Sequence, residues 1–91
     1  AMSKSALVGL AKGMARDLGP RNITVNNVQP GPVDTEMNPA DGEGAEFLKG
    51  LMALDSFGKA AGIAGFVSYL AGPEAGYITG ASLMIDGGFS A

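Results

Sequence analysis

The apolar, β-rich run Ile23-Thr24-Val25-Asn26-Asn27-Val28-Gln29 stops at Pro30-Gly31-Pro32, and this break constrains the fold more than any other stretch of the chain. Ile23, Thr24 and Val25 favour pleated backbone. Pro30 and Pro32 cannot donate ladder hydrogen bonds, and each holds the residue before it in extended geometry. The run therefore predicts a strand over residues 23–28 whose ladder ends near Gln29 and which delivers a rigid loop, Val33-Asp34-Thr35 included. In open α/β sheets the crevice beyond the carboxyl end of a strand is where ligands bind. Gly31 admits a close approach to the backbone, and Thr35 offers a hydroxyl. A plain turn between strand and helix accounts for the same Pro-Gly-Pro, so spacing alone leaves both readings standing.

On the N-terminal side, residues 3–18 carry Leu7, Leu10, Ala11, Met14, Ala15 and Leu18 at the spacing of a helix with one buried stripe. Gly19 is expected to cap that helix and Pro20 to bar its continuation. Ser5, Gly9 and Gly13, four apart on another face, predict close approach of another helix or backbone, since glycine inside a helix otherwise costs about 1 kcal/mol relative to alanine, with neutral surface glycines as the alternative. Past the break, residues 36–44 are polar and rich in breakers, which predicts a mobile loop. Residues 45–54, with Phe47, Leu48, Leu51, Met52 and Leu54, predict a short helix whose apolar side could cap a pocket as a lid does, an ordinary surface helix being the more frequent case. A third helix is expected over residues 59–71, with Ile63, Ala64, Phe66, Val67, Leu70 and Ala71 facing inward and Gly72-Pro73 ending it. Residues 81–85 read as a buried strand closed by an Asp86-Gly87-Gly88 turn.

The order helix, strand, lid helix, helix, strand predicts an α/β fold with a parallel pair joined by a right-handed crossover. Parallel sheets are covered on both faces and built from more strands, so the strand over 23–28 is expected to have a further neighbour that this chain does not supply. At 91 residues there is room for one small domain. Hydrophobic residues are 46% of it and charged ones 16%, an apolar excess that is expected to be buried against other protein. No apolar run approaches the roughly 20 residues of a membrane span. A net charge of -3 without a Lys/Arg cluster argues against nucleic acid as a partner. The absence of Cys and His removes disulfides, thiolate nucleophiles, the usual zinc sites and histidine acid–base chemistry, and no metal site is expected. The chain starts at Ala1 in helical sequence without a cap, as if cut inside an element, and lacks a secretory pattern, so a cytoplasmic setting is expected.

Several short motifs occur in order: Ser3-Lys4 opening a helix that closes in Leu18-Gly19-Pro20-Arg21, then Ile23-Thr24-Val25-Asn26, Pro30-Gly31-Pro32-Val33-Asp34-Thr35, Leu70-Ala71-Gly72-Pro73-Glu74-Ala75, Tyr77-Ile78-Thr79-Gly80 and Ile85-Asp86-Gly87-Gly88-Phe89. Together they resemble the C-terminal part of the short-chain dehydrogenase/reductase family over practically the whole chain. Gln29-Pro30-Gly31-Pro32 and Asn38-Pro39-Ala40 resemble bacterial members of its acyl-carrier-protein-reductase-like group, among them cyclic-di-GMP-binding biofilm dispersal mediators.

The resemblance implies that residues 1–91 are the C-terminal portion of a single Rossmann-type, doubly wound parallel-sheet domain, with a substrate lid at about residues 36–54. It implies that Lys4 is the lysine of a Tyr-x-x-x-Lys pair. Its ammonium favours the phenolate, so that the tyrosine exchanges a proton with the substrate oxygen, and it also holds the nicotinamide ribose. Pro30, Gly31, Val33 and Thr35 are implied to lie along the nicotinamide of NADP or NAD, with the Val33 backbone and the Thr35 hydroxyl facing its carboxamide. The tyrosine would fall just before Ala1, and the family's glycine-rich phosphate loop, ribose selector and catalytic serine lie further upstream. The choice between NADP and NAD therefore stays open. The chain departs from the family at Ser56-Phe57-Gly58-Lys59-Ala60-Ala61-Gly62, where an Arg before the glycine and a Pro-Glu-Glu helix start are usual.

The implied function is hydride transfer between nicotinamide and a small carbonyl compound or secondary alcohol. The implied partners are the remainder of its own domain and further copies in a homo-oligomer, tetramer or dimer, packed through the first helix and the last strand. The rival reading, motivated by the missing tyrosine and phosphate loop, is a non-catalytic assembly or nucleotide-binding module.

Overall fold

The computed structural model describes residues 3–91, so the expectation attached to Ala1 lies outside the described residues. Helix α1 spans Lys4–Leu18, and its start is capped: the Ser3 backbone is extended and its hydroxyl accepts the Ala6 N–H at 3.2 Å. Serine's short side chain reaches one of the donors that a first helical turn leaves open. At the other end Gly19 is not in the left-handed region (φ -55°). The chain tightens into a 3-10 turn, Gly19–Arg21, and the left-handed position falls on Asn22 at φ 61°. Asparagine tolerates that conformation, whereas Pro20 only prevents the α-helical ladder from continuing.

Strand β1 is Asn27–Pro30 and pairs with β4, Ser82–Ile85. The Asn27 N–H donates to Ala81 O at 2.9 Å and the Gly31 N–H to Ile85 O at 3.1 Å, four residues on along each strand, so the two run parallel. The expected strand over 23–28 is thus displaced toward the C-terminus. Residues 23–26 are extended but spend their hydrogen bonds elsewhere: Val25 N–H goes to the Thr79 hydroxyl at 3.0 Å, and Val25 O accepts from Gly80 N–H at 2.7 Å. Pro30 is tolerated at the strand end because Asn27 and Gly31 face β4 and alternation turns the proline's missing N–H to the opposite edge. A second pair of two-residue strands was not foreseen. Val33–Asp34 (β2) lies parallel to Gly58–Lys59 (β3), with Val33 beside Gly58 and Asp34 beside Lys59.

The contacts divide the chain into two compact units, Ala1–Val28 with Ser68–Leu83 and Gln29–Val67 with Met84–Ala91. In the first, the buried side chains are the alanines Ala11, Ala15 and Ala75. Leu7, Leu10 and Met14 of the expected apolar stripe are exposed, and the space beside Gly9 and Gly13 is open. Asn26 ties this unit together: its side-chain NH2 donates to Ile78 O at 3.0 Å and its carbonyl accepts from Ala81 N–H at 3.2 Å. Two further polar atoms, Asn27 Nδ2 and Ser82 Oγ, are buried without a partner among the described residues.

In the second unit, Ala45, Met52 and Phe57 form a core with Ala40 and Leu48 packed on it. Helix α2 is Ala45–Gly50, shorter than the expected 45–54, and beyond Gly50 the chain relaxes into turns. Helix α3 runs Ala60–Ala71; Lys59, expected to begin it, belongs to β3. None of its residues is buried: Ile63, Phe66 and Leu70 are half-covered, and Ala64, Val67 and Ala71 of the expected inward face are exposed.

Replacing Asn26 with Ala removes two hydrogen bonds and leaves the Ile78 carbonyl and the Ala81 N–H without their partner. A loss of about 1–3 kcal/mol in urea unfolding is expected, with Asn26→Asp also destabilising because it keeps the acceptor and loses the donor.

Candidate functional site

The carboxyl ends of β1 and β4 lie side by side, and the Pro30-Gly31-Pro32 loop leaves from that point. Of the residues singled out in the sequence, Pro30, Gly31, Val33 and Thr35 fall in the second unit, within a few residues of one another. Lys4 falls in the first unit, as the first residue of α1, and is exposed. The first turn of α1 contains no acidic residue. A cation at this end of a helix opposes the helix dipole, by about 0.3–1 kcal/mol at an exposed site, so helix stability does not explain its presence there.

Gly31 is where the loop meets β4. A methyl group built on it would lie 2.6 Å from Asp86 Cβ and 2.7 Å from Asp86 Cα, a separation no side chain tolerates. The close approach that glycine permits is thus made by Asp86. One residue on, the Pro32 carbonyl accepts the Gly58 N–H at 2.9 Å, which starts the β2–β3 pair and holds Val33 half-buried. Thr35 closes a turn: Asn38 N–H reaches both the Thr35 carbonyl at 3.2 Å and its hydroxyl oxygen at 3.1 Å. That bond uses the oxygen as acceptor and leaves the exposed O–H able to donate.

Residues 36–44, read as a mobile loop, are held at their start. Asp34 Oδ1 accepts the Ala40 N–H at 2.7 Å, and Gly42 N–H donates to Pro39 O at 3.0 Å. Residues 36–54 nevertheless present Met37 and Phe47 to the outside, 97% and 72% exposed. Its far end is fixed by Leu54, whose N–H donates to Gly87 O at 2.8 Å.

A concavity of about 220 Å³ in the second unit is bounded by Pro32, Phe57, Gly58, Ile63, Ile85 and Asp86. None of the four loop candidates lines it, although Pro32 between them does. A larger one, about 430 Å³, belongs to the first unit beside Lys12, Arg16 and Gly80, and Lys4 does not line it. Among the described residues no group of three or more His, Cys, Asp or Glu is placed to hold a metal ion, and no helix is long and apolar enough to cross a membrane.

Asp86 is the site residue that sequence reasoning assigned only to a closing turn. Its two carboxylate oxygens accept the Gly88 N–H at 3.0 Å and the Ser90 N–H at 3.1 Å. The Ser90 hydroxyl, followed by these N–H groups, holds its carboxyl below the ordinary value of 3.8, against a smaller upward push from partial desolvation. An aspartate before two glycines at a strand end was the available signal, since Asx turns are built on that pattern. Phe57 and Asp34 were also missed; a lone aromatic between Ser56 and Gly58 carries no periodicity to mark it as core.

Parallel strands joined through α3, with a loop at their carboxyl ends, define a portion of a Rossmann-type α/β fold. A family model described as Enoyl-(Acyl carrier protein) reductase matches residues 1–90. The chain is 56% identical over 91 residues to the cyclic-di-GMP-binding biofilm dispersal mediator protein of Escherichia coli (strain K12), covering all of this chain and 38% of that protein. Among solved structures, the short-chain dehydrogenase/reductase from Serratia marcescens BCRC 10948 is 80% identical with a TM-score of 0.94, covering all of this chain and 37% of that one. BdcA in complex with NADPH is 56% identical with a TM-score of 0.89, covering 94% of this chain and 35% of that one. This chain belongs to the short-chain dehydrogenase/reductase family, and it spans little more than a third of the length of these relatives.

Two outcomes follow for this region. Gly31→Ala is expected to destabilise by more than about 2 kcal/mol in denaturant titration, since the neighbour in the way is backbone, whereas exposed Gly50→Ala is expected to be neutral or stabilising. Because the folded pKa of Asp86 lies below its unfolded value, its contribution is present above the ordinary value of 3.8 and lost as pH falls through the lowered one. The gap in melting temperature between the protein and its Asp86→Asn variant is therefore expected to stay constant from about pH 7 to 5 and to close in stronger acid.

Proposed function

We propose that the chain is the C-terminal portion of an NAD(P)-dependent short-chain oxidoreductase domain that moves hydride between nicotinamide and a small carbonyl compound or secondary alcohol. The observation that carries this reading is the loop of residues 30–35, which begins at the carboxyl ends of two parallel strands, where α/β sheets bind their ligands. Related proteins 52–57% identical to this chain hold NADPH or NADP in their structures.

The residues present fit a nicotinamide cofactor. The Thr35 O–H remains able to donate to a carboxamide, the Val33 backbone follows Gly31 in the same loop, and the Lys4 ammonium is exposed at a helix start that gains nothing from it. When bound, the nicotinamide supplies or accepts the hydride. Lys4 is assigned two tasks: it donates hydrogen bonds to the ribose hydroxyls, and its charge favours the phenolate of the tyrosine that exchanges a proton with the substrate oxygen. Pro30 and Gly31 set the direction in which the loop leaves the sheet. The lid, residues 36–54, covers the substrate, with Met37 and Phe47 offering apolar contact. A remainder of the domain has a place to pack, since β1 has only β4 as a partner among the described residues.

The second reading is a non-catalytic assembly or nucleotide-binding module, and the exposed Leu10 and Met14 of α1 beside open glycines favour it. The Lys4→Ala variant of the full-length protein decides between them. NADPH-dependent reduction of an activated ketone is expected to fall by at least about 10²-fold with the melting temperature kept, a loss in the range of a positioned acid–base group. Unchanged turnover removes Lys4 from the mechanism. Absence of both cofactor binding and turnover in the unmutated protein, together with self-association, leaves the module reading.

A further inference from the structure

One turn touches both halves of the proposed site. The Asp86 carboxylate spans Gly88 N–H and Ser90 N–H and so fixes Gly87 and Gly88, both in the left-handed region at φ 61° and 83°. On one side of this turn lies the end of the lid. Leu54 N–H donates to Gly87 O at 2.8 Å. A methyl group on Gly87 would lie 2.7 Å from Met52 Cε, and one on Gly88 would collide with Ala53 Cβ. On the other side lies the loop, with Gly31 against Asp86 Cα and Cβ and its N–H on Ile85 O at 3.1 Å. Three glycines are therefore spent on bringing residues 52–54 and residue 31 against the same few atoms.

We propose that Asp86 is a positioning residue which, by fixing the turn at residues 86–90, couples the loop at Gly31 to the lid end at residues 52–54, so that occupation of the loop by the cofactor orders the lid. This rests on residues 30–35 being the nicotinamide loop and 36–54 the lid. Packed interfaces transmit a shift because they do not deform continuously, and the contacts of Gly31 with Asp86 and of Gly88 with Ala53 are closer than a side chain would allow, with fixed atoms on the far side. The coupling is reciprocal, so a bound lid ligand tightens cofactor binding by the same factor. Asp86 touches neither cofactor nor substrate in this account. Its removal leaves the backbone contacts and the anchors Pro32 O to Gly58 N–H and Asp34 Oδ1 to Ala40 N–H in place, and frees the turn at residues 86–90 from the two side-chain bonds that hold its shape.

The test is hydrogen–deuterium exchange of the full-length protein with and without saturating NADPH, comparing peptides over residues 45–54 in the unmutated protein, Asp86→Asn and Asp86→Ala. In the unmutated protein NADPH is expected to slow exchange there by about tenfold, within the usual range of coupling between sites. In Asp86→Ala that protection is expected to fall to about twofold or less while NADPH still binds, and the KM for carbonyl substrate to rise with little change in kcat. Asp86→Asn, which keeps one acceptor oxygen, is expected to be intermediate, and it carries the test if the alanine variant fails to fold. Equal protection of residues 45–54 in all three proteins overturns the proposal, as does binding of NADPH that protects the lid in none of them. Failure of NADPH to bind the unmutated protein overturns the oxidoreductase reading itself, and the coupling with it.

Discussion

The backbone of Asp86 and the α-carbon of Gly31 approach each other at a distance that excludes even a methyl group, and much of the second unit is arranged around that contact. It lets the Gly31 N–H extend the β1–β4 ladder one step past the end of β1. The chain then enters Pro32 already directed, and the carbonyl of Pro32 begins the β2–β3 pair. Proline gives up its donor without loss here, because the ladder on this side needs donors from Asn27 and Gly31 and acceptors from Pro32. A Pro-Gly-Pro sequence is usually thought of as ending a strand. In this chain it transfers the polypeptide from one parallel pair to the next.

Little of the chain's cohesion comes from large side chains. Among the described residues, alanines are the buried hydrophobic side chains of the first unit, and Met52 and Phe57 are the large ones of the second. An alanine methyl removes little apolar area from water, so burial contributes modestly, at about 25 cal/mol per Å². Directional bonds give the first unit its definition instead. Asn26 spans Ile78 and Ala81, and the Thr79 hydroxyl receives Val25 N–H. The larger apolar residues, Leu10, Met14 and Met84 among them, remain at the surface of the described chain.

The elements most legible in the sequence were those with long periodicity or strong punctuation. Helix α1 could be read from its 3.6-residue spacing, α3 from Gly72-Pro73 at its end, and β4 from a nearly all-apolar run before Asp-Gly-Gly. The strand readings failed chiefly through hydrogen bonds to partners far away in sequence. Val25 has strand propensity, yet Thr79 and Gly80 take up the bonds that would have made a ladder, and nothing local to residue 25 signals a partner 54 positions on. The pairing of Val33–Asp34 with Gly58–Lys59 is invisible for the same reason, since two residues are too few to display a period. Burial on α1 was read too generously because spacing identifies a stripe but not what covers it. Of the candidate site, the loop residues were found from punctuation and resemblance, whereas Asp86 emerged only once its oxygens could be traced to Gly88 and Ser90.

The segment between β2 and β3 is pinned at two places, where Asp34 receives Ala40 N–H and where Leu54 N–H meets Gly87 O. Between those pins the chain makes its own small core of Ala45, Met52 and Phe57 with Leu48. Residues 41–44 and the outward side of α2, where Glu46 and Phe47 point to solvent, touch little else. Loop length is also cheap in free energy, each doubling adding only about 0.6 kcal/mol of closure entropy. The stretch therefore has the properties of an exchangeable cassette. Changes of length or sequence at residues 41–44 are expected to leave the framing strands in place, provided that Ala45 and Leu48 keep their core positions.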